Sequence, residues 1–280
     1  MFESFFAILG LAGEQEVKIP PLEILEIHSA PRMVAEFSEP LVGATAAIAT
    51  HLNSGRILFA ENIDAKLPIA SLTKLMTGII ARENFALGDI VVVSANASEQ
   101  PPAKIWLKKG ERISVENLLK AALIESGNDA ATALGEKMGT TKFVAKMNEK
   151  ATILGLRNTH FANPVGFDDA ENYSTARELA LLAQYFLRDE LLREIVGTHK
   201  TTIFNELGGA HHLVSTNILF NGYLEIHGLK TGSTDEAGKC VAAIAANEAG
   251  QNILALVLDS PNRFQEAKGV LDWAIRNWKW

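Results

Sequence analysis

The chain has 280 residues, with 26 Lys and Arg against 33 Asp and Glu and a net charge of −7. That balance excludes a nucleic-acid binder, which needs a basic face to displace counterions from phosphates. A single cysteine excludes an intrachain disulfide framework or a thiolate-built zinc site, and 48 % apolar with 21 % charged residues is the composition of a folded chain.

Phe5 to Ala12 form an apolar run, well short of the ~20 residues that span a bilayer. Glu3 precedes it where an export signal would carry Lys or Arg, so the run reads as a poor or clipped signal or as a plain N-terminus. Pro20, Pro21, Pro31 and Pro40 punctuate an extended lead-in without a sustained period. Two strands follow, Ala44–Thr50 and Arg56–Ala60, joined by a tight turn at Asn53-Ser54-Gly55. After Pro68 the period changes: Leu72, Leu75, Met76, Ile79 and Ile80 form the stripe of an amphipathic helix. Ile90–Val93 is a short strand, and Ser114 caps a helix carrying Leu118, Leu119, Ala122 and Leu123. Helical patterns continue over Asp129–Met138 and Thr141–Leu154. Another runs behind the capping box Thr175-Ala176-Arg177-Glu178 to about Arg188. Lys239–Ala245 and Asn252–Leu258 flank Ala249-Gly250 as paired buried strands, and a last helix runs from about Arg263 to Trp278. Strands at both ends and helices between them give an α/β (α+β type) fold. An antiparallel sheet is covered by helices, with a mainly helical subdomain inserted and a cleft between the halves.

Three short patterns could carry chemistry. Ser71 and Lys74 lie one turn apart on one helix face, near unsatisfied N–H groups at the helix start. A lysine there could serve as base for the serine if burial or a second cation lowered its pKa. The pair reads equally as a capping serine and a solvated lysine. Ser126-Gly127-Asn128 lies in a tight helix-to-helix loop, with Gly127 expected to relieve the backbone. It could be an ordinary capping turn. Lys230-Thr231-Gly232 precedes the late strands and would stand on a sheet edge beside the cleft. A strand glycine there suits close approach of a ligand backbone, and the lysine could instead guard the edge.

The ordered set is more specific than its parts. S-x-x-K, S-x-N and K-T-G in this order form the signature of penicillin-binding proteins and class A β-lactamases. The chain resembles the low-molecular-mass penicillin-binding proteins of the D-alanyl-D-alanine carboxypeptidase family. The likeness extends through Pro68–Thr77, Glu125–Ala131, Leu156–Phe161, Tyr173–Arg177 and Gly228–Gly232. It implies a β-lactamase/transpeptidase-like fold, an N-terminal segment over residues 1–40 and a catalytic domain over 41–280 without a C-terminal accessory domain. It also implies a serine carboxypeptidase acting on peptidoglycan stem peptides outside the cytoplasm, inhibited covalently by β-lactams, with no metal or cofactor.

By position, Ser71 would be the nucleophile and Lys74 its general base, and Ser126 would relay a proton to the departing D-alanine. Asn128 would bind the peptide, while Lys230, Thr231 and Gly232 would form the carboxylate side. The N–H groups of Ser71 and Ser233 would form the oxyanion hole. An unperturbed lysine titrates near ~10.4, so a neutral Lys74 asks about 4 kcal/mol of the site. Lys230 and exclusion of water are the expected causes.

Some relatives carry an arginine shortly before K-T-G, but none lies between Lys200 and Lys230 here. Carboxylate recognition is therefore expected from Lys230 and Thr231, or from the His211-His212 pair. Trp273, Trp278 and Trp280 are expected to pack rather than anchor the chain to a membrane. A β-lactamase would need a carboxylate on a loop such as Asn163–Asp169 to activate water, and an endopeptidase is a sister activity. A non-catalytic wall-binding module is disfavoured by the intact Ser71, Lys74, Ser126 and Lys230. His160 and the His211-His212 pair are expected to be structural, and Cys240 inert in a buried strand.

Overall fold

A computed structural model describes residues 31–34, 37–221 and 224–279. The run at Phe5–Ala12 and the prolines at 20 and 21 lie outside the described residues, as does Trp280. In chain order the strands are β1 (Arg32–Met33), β2 (Ala46–His51), β3 (Ile57–Glu61) and β4 (Leu67–Pro68). Helix α1 (Lys74–Asn84), β5 (Ile90–Val92), α2 (Ala95–Ser98) and β6 (Arg112–Ser114) follow, then α3 (Val115–Ile124), α4 (Asn128–Glu136) and α5 (Thr140–Ile153). Next come β7 (Tyr173–Ser174), α6 (Ala176–Phe186), α7 (Glu190–Gly197), β8 (Lys200–Phe204) and β9 (Ala210–Val214). The chain closes with β10 (Glu225–Thr234), β11 (Gly238–Ala246), β12 (Asn252–Leu258), α8 (Arg263–Asn277) and β13 (Trp278–Lys279).

The central sheet is antiparallel, in the order β10-β11-β12-β2-β3. Its inner strands alternate sides with a period of two. Ile48, Ala242, Ile244, Leu254 and Leu256 face the core shared with α1, α3 and α6. Ala47, Ala49, Val241, Ala243 and Val257 face Val270, Leu271 and Trp273 of α8. Both faces are covered, so these strands read as continuous apolar runs, and their alanines let helices pack close. The helices from α1 to α7 lie between β3 and β10 in sequence, the insertion expected from the pattern. The order leaves β10 at one edge of the sheet, beside the inserted helices.

Several local expectations are corrected. Helix α1 does not have one solvated face: every residue from Lys74 to Ala81 is buried. The capping box is half made. Thr175 Oγ1 accepts the Glu178 N–H at 3.1 Å, but the Glu178 carboxylate accepts from Asn158 N and Thr159 Oγ1 instead. The stretch before β10 is not all helical, because β8 and β9 form a hairpin. Trp273 Nε1 donates to Phe37 O and its ring meets Phe59 edge-on, and Trp278 is buried in the β1–β13 pair. Those two indoles pack, as expected. Among the described residues no helix is long and apolar enough to cross a membrane.

Candidate active site

The nucleophile segment enters from β4 through a 3-10 turn over Ala70–Thr73, so Ser71 sits just before α1. Ala70 is held at φ +46, a strained conformation for a residue with a Cβ. Two glycines make the turn possible. A Cβ at Gly232 would lie 2.9 Å from the Ser71 nitrogen, and one at Gly166 (φ +93) would lie 2.0 Å from Ala70 O. Gly232 thus admits the protein's own nucleophile turn.

Lys74, the first residue of α1, is fully buried. Its Nζ lies 2.7 Å from Ser71 Oγ, 2.8 Å from Asn128 Oδ1 and 2.8 Å from Val165 O. The two carbonyl oxygens only accept, so a neutral amine spends both N–H donors on them and turns its lone pair to the Ser71 hydroxyl. Burial, then the positive charge of Lys230, pushes the Lys74 pKa well below the ordinary lysine value, while Asp129 acts in the opposite sense. Val165 O is presented by a compact loop in which Asn163 Oδ1 accepts the N–H groups of Val165, Gly166 and Phe167 at 3.1, 2.7 and 3.1 Å.

Ser126 closes α3 in the left-handed region, at φ +66, whereas Gly127 has φ −54. The serine, not the glycine, carries the strain that was expected at Gly127. Asn128 Oδ1 points at Lys74 because its Nδ2 donates to Pro101 O at 3.0 Å and its backbone N–H donates to Ala103 O at 2.7 Å. Here the Asn128 amide is engaged within the protein at both ends.

From the edge strand β10, Lys230 Nζ donates to Ser126 Oγ at 2.7 Å and to Thr231 O at 2.9 Å. Burial, then the charge of Arg263, lowers its pKa to about 7. Thr231 and Thr216 share a hydroxyl hydrogen bond of 2.6 Å. The cleft has a volume of about 430 Å³, and Ser71, Ser126, Asn128, Thr231, Gly232, Ser233 and Arg263 line it. With Lys74 and Lys230 hydrogen-bonded to its serines, all the residues selected from sequence meet there.

Arg263 is the residue that sequence reasoning missed. It comes after K-T-G, at the start of α8, and its Nη1 donates to Gly232 O at 2.6 Å. It puts a guanidinium beside Lys230-Thr231-Gly232 in the cleft, where no arginine before K-T-G was available. The two histidines are not an alternative. His211 Nε2 pairs with Glu111 Oε1 at 2.6 Å, and His212 Nδ1 pairs with Thr202 Oγ1 at 2.9 Å. Cys240 is buried, which pushes its thiol pKa up to about 11 and leaves it unreactive.

The D-alanyl-D-alanine carboxypeptidase family (Peptidase_S11) matches residues 33–262. The chain belongs to this family. It is 32 % identical over 246 residues to D-alanyl-D-alanine carboxypeptidase DacF of Bacillus subtilis, covering 84 % of this chain and 63 % of the relative. It is also 32 % identical over 253 residues to DacA of Escherichia coli K12, covering 85 % of this chain and 62 % of the relative. The chain therefore spans under two thirds of the length of these curated relatives. The crystal structure of the Streptomyces K15 DD-transpeptidase superposes with a TM-score of 0.80 at 29 % identity, covering 85 % of this chain and 99 % of that one. Family and fold agree with the expected antiparallel sheet and helical insertion.

Proposed function

We propose that this family member is a serine D-alanyl-D-alanine carboxypeptidase, acting on peptidoglycan stem peptides through an acyl-enzyme. One observation carries the reading: Lys74 Nζ lies 2.7 Å from Ser71 Oγ, and both of its other partners are carbonyl oxygens. Neutral Lys74 takes the Ser71 proton as Oγ attacks the penultimate D-alanine carbonyl. The backbone N–H groups of Ser71 and Ser233 stabilise the oxyanion, where one such donor contributes about 3 kcal/mol. Ser126, bonded to Lys230, relays a proton to the departing D-alanine nitrogen. Thr231, Lys230 and Arg263 hold that residue's carboxylate, and Gly232 keeps the strand close to the nucleophile. Asn128 exchanges its Pro101 contact for the peptide. Water then takes the acyl group from Ser71 O, and the serine regains its proton.

The β-lactamase reading is less well supported. The Asn163–Asp169 loop meets Lys74 through the carbonyl of Val165, and its cleft-lining carboxylate, Asp168, accepts the Glu236 N–H at 3.3 Å. A peptidoglycan substrate places the working protein outside the cytoplasm, with β-lactams as covalent inhibitors. Intact mass after penicillin treatment is expected to show one adduct, mapping to Ser71. Stem pentapeptides are expected to lose one terminal D-alanine. Folded protein that takes no adduct sinks the reading, and cleavage of cross-linked dimers alone replaces carboxypeptidase by endopeptidase.

A further inference from the structure

One wall of the cleft is Pro101, Pro102 and Ala103, and this wall continues into a feature that the proposed reaction does not use. Trp106 is 68 % exposed, while Ile105 and Leu107 beside it are buried. Trp106 also has φ +65, a left-handed backbone that a bulky side chain rarely adopts. The surrounding chain holds it there. Asp129, fully buried, accepts the N–H of Ile105 at 3.3 Å and that of Leu107 at 3.0 Å. His211 Nδ1 lies 3.2 Å from Ile105 O, and Ala103 O accepts the Asn128 N–H. Both flanks of the indole are therefore tied to the start of α4, which carries Asn128 and Asp129, and the ring is presented on a fixed mount in the segment that follows the cleft wall at Ala103.

The surroundings of the ring are cationic in a chain of net charge −7. Lys104 Nζ sits 4.7 Å from the ring centroid, and Lys108 and Lys109 are exposed just beyond. A rigid aromatic surface beside ammonium groups suits a polyhydroxylated ring that offers C–H groups to the indole, within a polymer that also carries carboxylates. A bilayer is a poorer match, because the residues on either side of the indole, Ile105 and Leu107, turn into the core. We propose that Trp106, with Lys104, forms a rim subsite that holds the saccharide strand of polymeric substrate beside the stem peptide in the cleft. The proposal rests on the DD-peptidase reading.

The test compares two substrates in the W106A and W106G variants, the second of which removes the indole and accepts the left-handed backbone. On a short soluble N-acyl peptide ending in D-Ala-D-Ala, kcat/KM is expected to stay within about twofold of wild type. On purified insoluble peptidoglycan, D-alanine release is expected to fall about five- to tenfold, the size of effect a lost aromatic anchor gives. W106F is expected to recover part of the loss. Equal rates on the polymer overturn the rim subsite, as does an equal loss on both substrates. Binding of wild type to vesicles of anionic lipid that both variants lose, with unchanged polymer turnover, also overturns it in favour of a membrane contact. Inactivity of wild type on the short peptide would fail the peptidase reading itself, a separate outcome.

Discussion

Helix α1 and strand β10 each bury a lysine against a serine hydroxyl at 2.7 Å, and the two lysines differ in what else surrounds them. Lys74 has two further oxygen acceptors, and both a cation, Lys230, and an anion, Asp129, act on it. Lys230 has one further acceptor, Thr231 O, and a cation nearby, Arg263. The first arrangement saturates a neutral amine and leaves a lone pair for a proton. The second leaves one N–H of a protonated amine free for an incoming carboxylate. In the proposed reaction the same side chain serves as a base on one wall of the cleft and as an anion holder on the other, and what separates the two roles is the number of oxygen acceptors around each amine.

The largest expected effect comes from removing the base. Lys74→Ala should lower penicillin acylation by about 10²–10⁴-fold near neutral pH, with the fold kept as judged by circular dichroism. A rate near wild type would make the two lysines interchangeable. Lys230→Met should lower kcat/KM for carboxylate-terminated peptides by about a hundredfold, the range for losing a buried charge contact. The same variant carries a stability signature. A lysine pKa lowered to about 7 means that the unfolded chain binds the proton more tightly than the native one up to the ordinary lysine value near 10.5. The penalty is complete below pH about 7 and fades as pH rises toward 10.5. The Tm change on Lys230→Met, relative to wild type, should therefore be more favourable at pH 6 than at pH 9. Equal changes at both pH values would mean that Lys230 is not held in this state.

Arg263→Leu should act mostly on KM, about tenfold, by removing one of the three carboxylate partners. It should also raise the Lys230 pKa, because the guanidinium is one cause of its depression. In wild type, kcat/KM for carboxylate-terminated peptides should decline as pH rises through about 7, where free Lys230 loses its proton. Without Arg263 that decline should start at higher pH and be deeper. An amidated C-terminus should show neither limb, since it presents no anion to hold.

The proposed base was more legible in the sequence than the proposed holder, for physical reasons. Ser71 and Lys74 are one helical turn apart, so local spacing alone joins them. Ser126 and Lys230 meet only because β10 is a sheet edge beside the inserted helices; that both belong to one cleft was legible through family resemblance, but their hydrogen bond was not. Arg263 was missed because it reaches Gly232 from α8, across the sheet, and no sequence-local pattern records that approach. The apolar stripe of α1 predicted a solvated opposite face, yet Lys74 to Ala81 are buried all the way round, and burial is the largest cause of the depressed Lys74 pKa. The β8–β9 hairpin escaped notice because its strands bury only Ile203 and Leu213, so no apolar run marks them. The left-handed residue in S-G-N is the serine, a placement fixed by Lys230 and α4 rather than by residue preference.

The smallest effect is the most discriminating, because it concerns the one anion that acts against the depression of the Lys74 pKa. Asp129 has its carboxylate bonded to three backbone N–H groups, from Ile105, Leu107 and Ala130, and stands one residue beyond the Asn128 that touches Lys74. Its charge opposes the depression that burial and Lys230 impose on Lys74. Asp129→Asn keeps the shape and removes the charge, so the Lys74 pKa should fall further. The acid limb of penicillin acylation should then move to lower pH, and the plateau rate should drop a few-fold because a weaker base takes the proton less readily. The variant should also lose stability, about 1–3 kcal/mol, since the amide nitrogen now faces the Leu107 N–H. Lost stability alone cannot displace a pH limb. A limb that stays in place while Tm falls would confine Asp129 to holding the 105–107 loop. A limb that moves makes it the counter-charge that keeps Lys74 a strong enough base.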